Sequence, residues 1–308
     1  MLSAAMKLSK FGEKFTRRAG ILSLMDDLGD ALAGGGDDLI MMGGGNPGHI
    51  PEVQAVVRQR LQYILDHEHE FQRLIGVYGP PQGDRDFRAA LARLLRREYG
   101  WHIGPENIAL TNGSQAAFFL LFNMFAGSCA DGVQRKIQLP LVPEYIGYAD
   151  VGLRDDFFRA ARPEIDFLEA HTFKYRVNFA AIDLTDEIGA LCVSRPTNPT
   201  GNVLTDGEIE QLLVLAQQRD IPLILDNAYG MPFPDMVFAV ATPVCDEHTI
   251  VCMSLSKLGL PAARTGIVIA REEIVKALYG INAIVNLTTG SFGSALALDL
   301  VRSGEILP

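Results

Sequence analysis

From about Asn107 onward, short apolar runs alternate with longer stretches of helical spacing, and that alternation decides the class of fold this chain can adopt. The runs are Ile108-Ala109-Leu110, Ile137-Gln138-Leu139, Ala190-Leu191-Cys192-Val193, Pro222-Leu223-Ile224-Leu225, Ile250-Val251-Cys252-Met253 and Gly266-Ile267-Val268-Ile269. None alternates strictly between apolar and polar, as a half-exposed strand does. They fit strands covered on both faces, which a largely parallel sheet requires. The intervening stretches, such as 207–219 with Ile209, Leu212, Leu213 and Leu215, suit crossover helices. The expected fold is therefore α/β, a mostly parallel sheet wrapped by helices.

Upstream, Glu52 to Glu68 and Arg85 to Glu98 read as amphipathic helices on either side of the turn-rich segment Gly76 to Gly83. The first 40 residues form no clear unit, and Gly34-Gly35-Gly36 reads as a local turn. The helical pattern from Gly290 to Ile306 stops at Pro308, as if the chain ended within an element. With 48% hydrophobic and 21% charged residues, the chain is too apolar for disorder. Its 37 acidic against 27 basic side chains repel a phosphate backbone, and the basic residues come in ones and twos, so no nucleic-acid partner is expected. No run approaches the ~20 apolar residues that cross a bilayer, and the charged N-terminus has no secretory core, so no membrane partner is expected either. Cys129, Cys192, Cys245 and Cys252 show no C-x-x-C spacing and read as reduced thiols, which makes a cytoplasmic location the expectation.

In open α/β sheets ligands gather at the carboxyl ends of the parallel strands, so the residues just after each run are where chemistry is sought. After the first comes Thr111-Asn112-Gly113-Ser114-Gln115, a small-residue turn into the apolar helix Phe118 to Phe125; unpaired N–H groups at such a helix start form an anion cradle. The turn after the second carries Pro143-Glu144-Tyr145-Ile146-Gly147-Tyr148, an aromatic face. Arg195-Pro196-Thr197-Asn198-Pro199-Thr200-Gly201 follows the third, a stiff turn presenting the Asn198 amide. The fourth run leads into Asp226-Asn227-Ala228-Tyr229, where Asp226 lies close enough to an apolar strand to be desolvated and so needs a cationic or hydrogen-bonding partner. The fifth is the most specific: Ser254-Leu255-Ser256-Lys257, with Arg264 seven residues beyond the lysine. Lysine amines form Schiff bases with carbonyl compounds, while serine hydroxyls and a guanidinium ligate phosphate. Together these turns offer a phosphate cup, an aromatic plate, an amide donor, an acid and an imine-forming amine.

Two other signals have plainer explanations. Gly43-Gly44-Gly45-Asn46-Pro47-Gly48 satisfies a dinucleotide-binding glycine pattern, but Pro47 and Pro51 disturb the helix it should open and no strand ending in an acid follows at the required distance. His67-Glu68-His69-Glu70 invites a metal, yet histidines two apart on a helix do not share a face. No metal is expected.

Taken in order, Y-x-x-x-x-G from Tyr78, T-N-G-S-Q, P-E-Y, N-P-T-G, D-N-A-Y and S-L-S-K with Arg264 resemble the fold-type I, aspartate-aminotransferase-like pyridoxal phosphate enzymes over about Gly43 to Gly266. The resemblance implies a three-layer fold with an N-terminal arm and part of a small domain over 1–50, a large cofactor-binding domain over 51–295, and the start of an interdomain helix over 296–308, the rest of the small domain being absent. It implies that Lys257 holds the cofactor and shuttles a proton, that Asp226 pairs with the pyridine nitrogen, that Tyr229 and Asn198 bond the phenolic oxygen, and that Tyr145 stacks on the ring. Gly113, Ser114, Gln115, Ser254, Ser256 and Arg264 would surround the phosphate. Tyr78 would reach the phosphate of a second subunit, implying a homodimer, and Gly45 with Asn198 would line the substrate pocket. The implied activity moves an amino group between a small aliphatic amino acid, such as valine or alanine, and a 2-oxo acid. One departure stands out: family members carry an arginine for the substrate α-carboxylate in a later segment, and nothing up to Pro308 matches it. A lyase or decarboxylase on the same scaffold, or a truncated cofactor-binding protein without turnover, are the competing readings.

Overall fold

The computed structural model describes residues 7–17, 19–34 and 46–308. Helices α1 (Lys10–Phe15), α2 (Gly20–Gly34), α3 (Pro51–Asp66), α4 (Glu68–Gly76) and α5 (Arg85–Tyr99) precede the sheet. The chain then runs through β1 (Ile108–Thr111), α6 (Ser114–Phe125), β2 (Gly127–Ser128), β3 (Gln134–Leu139) and β4 (Phe158–Ala160). A hairpin of β5 (Glu164–Phe167) and β6 (Phe173–Arg176) leads to β7 (Ile188–Ser194), α7 (Asp206–Gln218), β8 (Leu223–Asp226) and β9 (Thr249–Ser254). It closes with β10 (Gly266–Ile269), α8 (Glu272–Asn286) and α9 (Phe292–Ser303).

The main sheet has the order β1-β10-β9-β8-β7-β3, with β4 and the short β2 both pairing with β3. Pairs β8/β9, β7/β8, β3/β7 and β3/β4 are parallel, while β10 runs against both of its neighbours. The mostly parallel α/β sheet read from the apolar runs is therefore present. Alternation along the strands sorts side chains into two cores, as the pleat demands. Ile108, Leu110, Leu191, Val193, Leu223, Leu225, Val251 and Met253 pack with residues of α5, α7 and α9. Ala109, Ala190, Cys192, Ile224, Ile250 and Cys252 pack with α6 and α8. That is a sheet with a helical layer on each face, the three-layer arrangement.

Local chemistry fixes the flanking helices. Asp84 accepts from the Phe87 N–H at 2.8 Å to start α5, and Gly100 ends it in the left-handed region at φ 66°. Thr205 and Glu208 form a reciprocal capping box at the start of α7.

The helix read over Glu52 to Glu68 is present as α3, ending at Asp66, and a second helix not read from the sequence, α4, follows it; His67 between them adopts extended backbone (φ −118°, ψ 96°), with Nδ1 2.7 Å from the Tyr63 carbonyl and its ring stacked on Tyr63. The helical pattern read from Gly290 to Ile306 is α9, which ends at Ser303; Gly304 caps it at φ 88° with its N–H donating to Leu300 O, and Ile306 is buried in the core. Within the first 40 residues, without a clear unit in the sequence, Lys10–Phe15 form α1 and Gly20–Gly34 form α2. Gly45 and the start of the glycine pattern lie outside the described residues.

Candidate active site

Strand register builds the site. Ser194 at the end of β7 lies opposite Asp226 at the end of β8, and Ser254 at the end of β9 lies opposite Gly266, which lies opposite Thr111 at the end of β1. Consecutive rim positions of the sheet therefore deliver side chains to one crevice. A cavity of about 140 Å³ there is lined by Asp226, Lys257, Tyr229, Asn198 and Tyr145, and also by Ser114, Gln115, Ser254, Ser256 and Arg264. Residues from five separate turns of the sequence thus share one enclosure.

Asp226 is 7% exposed. The Tyr148 hydroxyl donates to its Oδ2 at 2.5 Å and the Ala228 N–H to its Oδ1 at 2.9 Å. Among the described residues it forms no ion pair. Burial pushes its carboxyl above the ordinary range; the two hydrogen bonds and the charge of Lys257 act in the other direction without cancelling the desolvation. This is an acid short of a cation, the condition anticipated from its place after an apolar strand.

Lys257 follows β9 on the tight turn Ser256–Leu258, its Nζ 4.8 Å from the centroid of the Tyr229 ring. The Asn198 amide donates to the Tyr229 hydroxyl at 3.4 Å, so the two predicted partners of a phenolic oxygen already converge. Tyr145 lies edge-to-face with Tyr148, ring centroids 5.4 Å apart.

The anion cup is shaped by two glycines. Gly113 takes φ 86°, and a Cβ there would sit 2.1 Å from Arg264 Nη2. A Cβ on Gly266 would meet Thr111 Oγ1 at 2.5 Å and Ser114 N at 2.7 Å, so only glycine lets the turn into α6 settle over β10. No side chain caps the start of α6, which leaves its first N–H groups facing the crevice mouth. Arg264 donates to Ser256 Oγ at 3.4 Å, and Ser254 and Ser256 hydroxyls lie 3.0 Å apart. Arg264 itself holds left-handed backbone at φ 44°, a strained conformation for a side-chain-bearing residue. Gln115 donates to Gly147 O at 2.8 Å while its buried Oε1 has no partner.

Tyr78 stands outside this cavity and is 82% exposed. His67 separates two helices, His69 is exposed, and among the described residues no group of metal-ligating side chains assembles. The sequence reading missed Tyr148, Ser194 and Glu144. Glu144 is half-buried, accepts from the Ser194 N–H at 2.9 Å, and has Oε2 2.5 Å from Ser194 Oγ; the protein packed around its carboxyl pushes it up to about 7. The acid in Pro143-Glu144-Tyr145 was visible, but its partner lies 50 residues away and no local pattern points there.

With this geometry in view, comparisons with known proteins converge. The aminotransferase class I and II family model matches residues 40–305. Valine–pyruvate aminotransferase of Escherichia coli is 49% identical over 98% of this chain and 72% of its own length. A crystal structure of valine–pyruvate aminotransferase from Salmonella typhimurium superposes with a TM-score of 0.81 at 46% identity, over 93% of this chain and 70% of that one. Thermus thermophilus aspartate aminotransferase, at 23% identity and a TM-score of 0.74, covers 98% of this chain and 74% of its own, and shares the fold.

Proposed function

The chain belongs to the aminotransferase class I and II family, and from that membership we propose that it transfers an amino group between valine, or another small aliphatic amino acid such as alanine, and a 2-oxo acid such as pyruvate or 2-oxoisovalerate. Members of the family use pyridoxal phosphate. The residues present fit that group on their own chemistry: a buried carboxylate without a cation, an amine in the same cavity, and a cup of hydroxyls, N–H groups and a guanidinium. This convergence is the observation that carries the reading.

When bound, the cofactor supplies an aldehyde that accepts the amino group and a ring that draws electrons from the substrate Cα. Asp226 would hold its negative charge against the protonated ring nitrogen, the cation its burial calls for. Lys257 Nζ, the amine of the cavity, would hold the cofactor and move the proton at Cα. Asn198 and Tyr229 would donate to the phenolic oxygen, and Tyr145 would cover the ring face. Ser254, Ser256, Arg264 and the Gly113-Ser114-Gln115 turn would fix the phosphate, where charge-assisted hydrogen bonds are strongest. Asn198 would also face the substrate.

The reading includes a cytoplasmic homodimer. Tyr78 and its neighbour Val77 are largely exposed, as are Leu287 and Ile284, and Thr288 bonds the Gly79 carbonyl, so these apolar positions share one region. Tyr78 would complete the partner subunit's phosphate cup. All four cysteines are free. The test is product analysis with valine and pyruvate: alanine and 2-oxoisovalerate in equal amounts are expected. Ammonia or carbon dioxide without alanine would place the protein among lyases or decarboxylases instead.

A further inference from the structure

We propose that Glu144 is a positioning residue of the cofactor site, a second carboxyl that carries its proton and fixes Tyr148 on Asp226 through Ser194. The inference rests on the cofactor-site reading above. The geometry is a row of oxygens: Glu144 Oε2 to Ser194 Oγ at 2.5 Å, Ser194 Oγ to Tyr148 OH at 3.4 Å, and Tyr148 OH to Asp226 Oδ2 at 2.5 Å. Tyr148 is 2% exposed and Ser194 1%, so water does not complete the row from outside.

Proton counting assigns the state of Glu144. Tyr148 has one proton, and Asp226 takes it. If Glu144 were ionised, Ser194 would give its only proton to Glu144, and the Tyr148 and Ser194 oxygens would face each other with none between them. If Glu144 keeps a proton it donates to Ser194 Oγ, and the Ser194 proton is free for Tyr148. Every donor then points along the row toward Asp226, and the long 3.4 Å step is occupied. The other titratable groups facing this cluster favour the same state. Asp226 and the buried Cys192 and Tyr148 thiol and hydroxyl offer no positive charge, and Lys257, the cation nearby, acts on Asp226. Two carboxylates sharing a poorly hydrated space do not both ionise readily. Asp226 is the one that must stay charged opposite a ring cation, so Glu144 is the one that stays neutral.

The experiment compares wild type with E144A, E144Q and S194A in two readouts. The first is pyridoxal phosphate affinity by absorbance titration at pH 6. E144A and S194A should bind about tenfold more weakly, the size expected for one hydrogen bond to a charged group, whereas E144Q, which can still donate to Ser194, should recover most of the loss. The second is urea unfolding of the cofactor-free protein between pH 5 and 8. A carboxyl held up to about 7 in the folded state, against an ordinary value near 4.5, contributes stability that fades as pH rises through that window. Wild type should show this one-proton slope in excess of E144Q. Equal losses in E144A and E144Q, no loss in any variant, or identical pH slopes for wild type and E144Q would each overturn the proposal. Failure of wild type to bind the cofactor would instead remove the functional reading, and the unfolding comparison would still decide the state of Glu144.

Discussion

Asp226 and Lys257 were legible because one closes an apolar run and the other sits in the turn just after one, where a charged side chain has no cheap reason to be. Tyr148 and Glu144 were not legible as partners of that site, since the contacts that define their roles join residues 78 and 50 positions apart. The role assigned to Asp226 predicts that Asp226→Asn weakens pyridoxal phosphate binding and lowers turnover on the order of 10²-fold, the scale seen when one aligned charge or donor is removed from an active site. Cofactor titration and steady-state kinetics measure both. Its raised carboxyl also has a pH consequence. In the cofactor-free protein the folded state holds this proton more tightly than the unfolded chain, whose aspartates titrate at about 3.9, so the contribution is present in acid and lost as pH rises through the folded value. A bound cation reverses this bias. The stabilisation conferred by pyridoxal phosphate in thermal unfolding should therefore be greater at pH 7.5 than at pH 5 and lose that difference in Asp226→Asn.

At the scale of elements, the six apolar runs fell on β1, β3, β7, β8, β9 and β10 because those stretches are buried on both faces, but β3 begins three residues and β7 two residues before its run, and the short, more exposed β2, β4, β5 and β6 carried no apolar run to read. The end of α3 near His67 was read within two residues, but the helix α4 beyond it was not, since no cap or turn residue separates the two in the sequence. The reversed direction of β10 was likewise hidden: a buried strand reads the same in either orientation. The turn between β1 and α6 is the element on which anion binding depends. Gly113→Ala places a Cβ against Arg264 at a backbone angle L-residues avoid, so it should cost ~1–3 kcal/mol of stability and weaken cofactor binding together. Thr205→Ala removes the cap of α7, at a residue that does not line the cavity, and should cost about 1 kcal/mol while leaving cofactor affinity alone. Urea unfolding and cofactor titration of the pair separate a functional turn from a structural cap.

For the whole molecule, the sheet brings chemistry from Ser114 to Arg264 into one crevice, while Tyr78 lies outside it and is 82% exposed. If it completes the partner's site, mixing Tyr78→Ala with Lys257→Ala, each nearly inactive, should restore activity toward about a quarter of wild type, because hybrid dimers contain one intact site. Unchanged activity after subunit exchange would assign Tyr78 to surface packing alone. The most direct test of the site is chemical. Wild-type protein incubated with pyridoxal phosphate, reduced with borohydride and digested should carry one pyridoxyl group per chain, located by mass spectrometry on Lys257, and Lys257→Ala should carry none. A label on a different lysine, or an equal label in Lys257→Ala, would contradict the assignment of this cavity as the cofactor site.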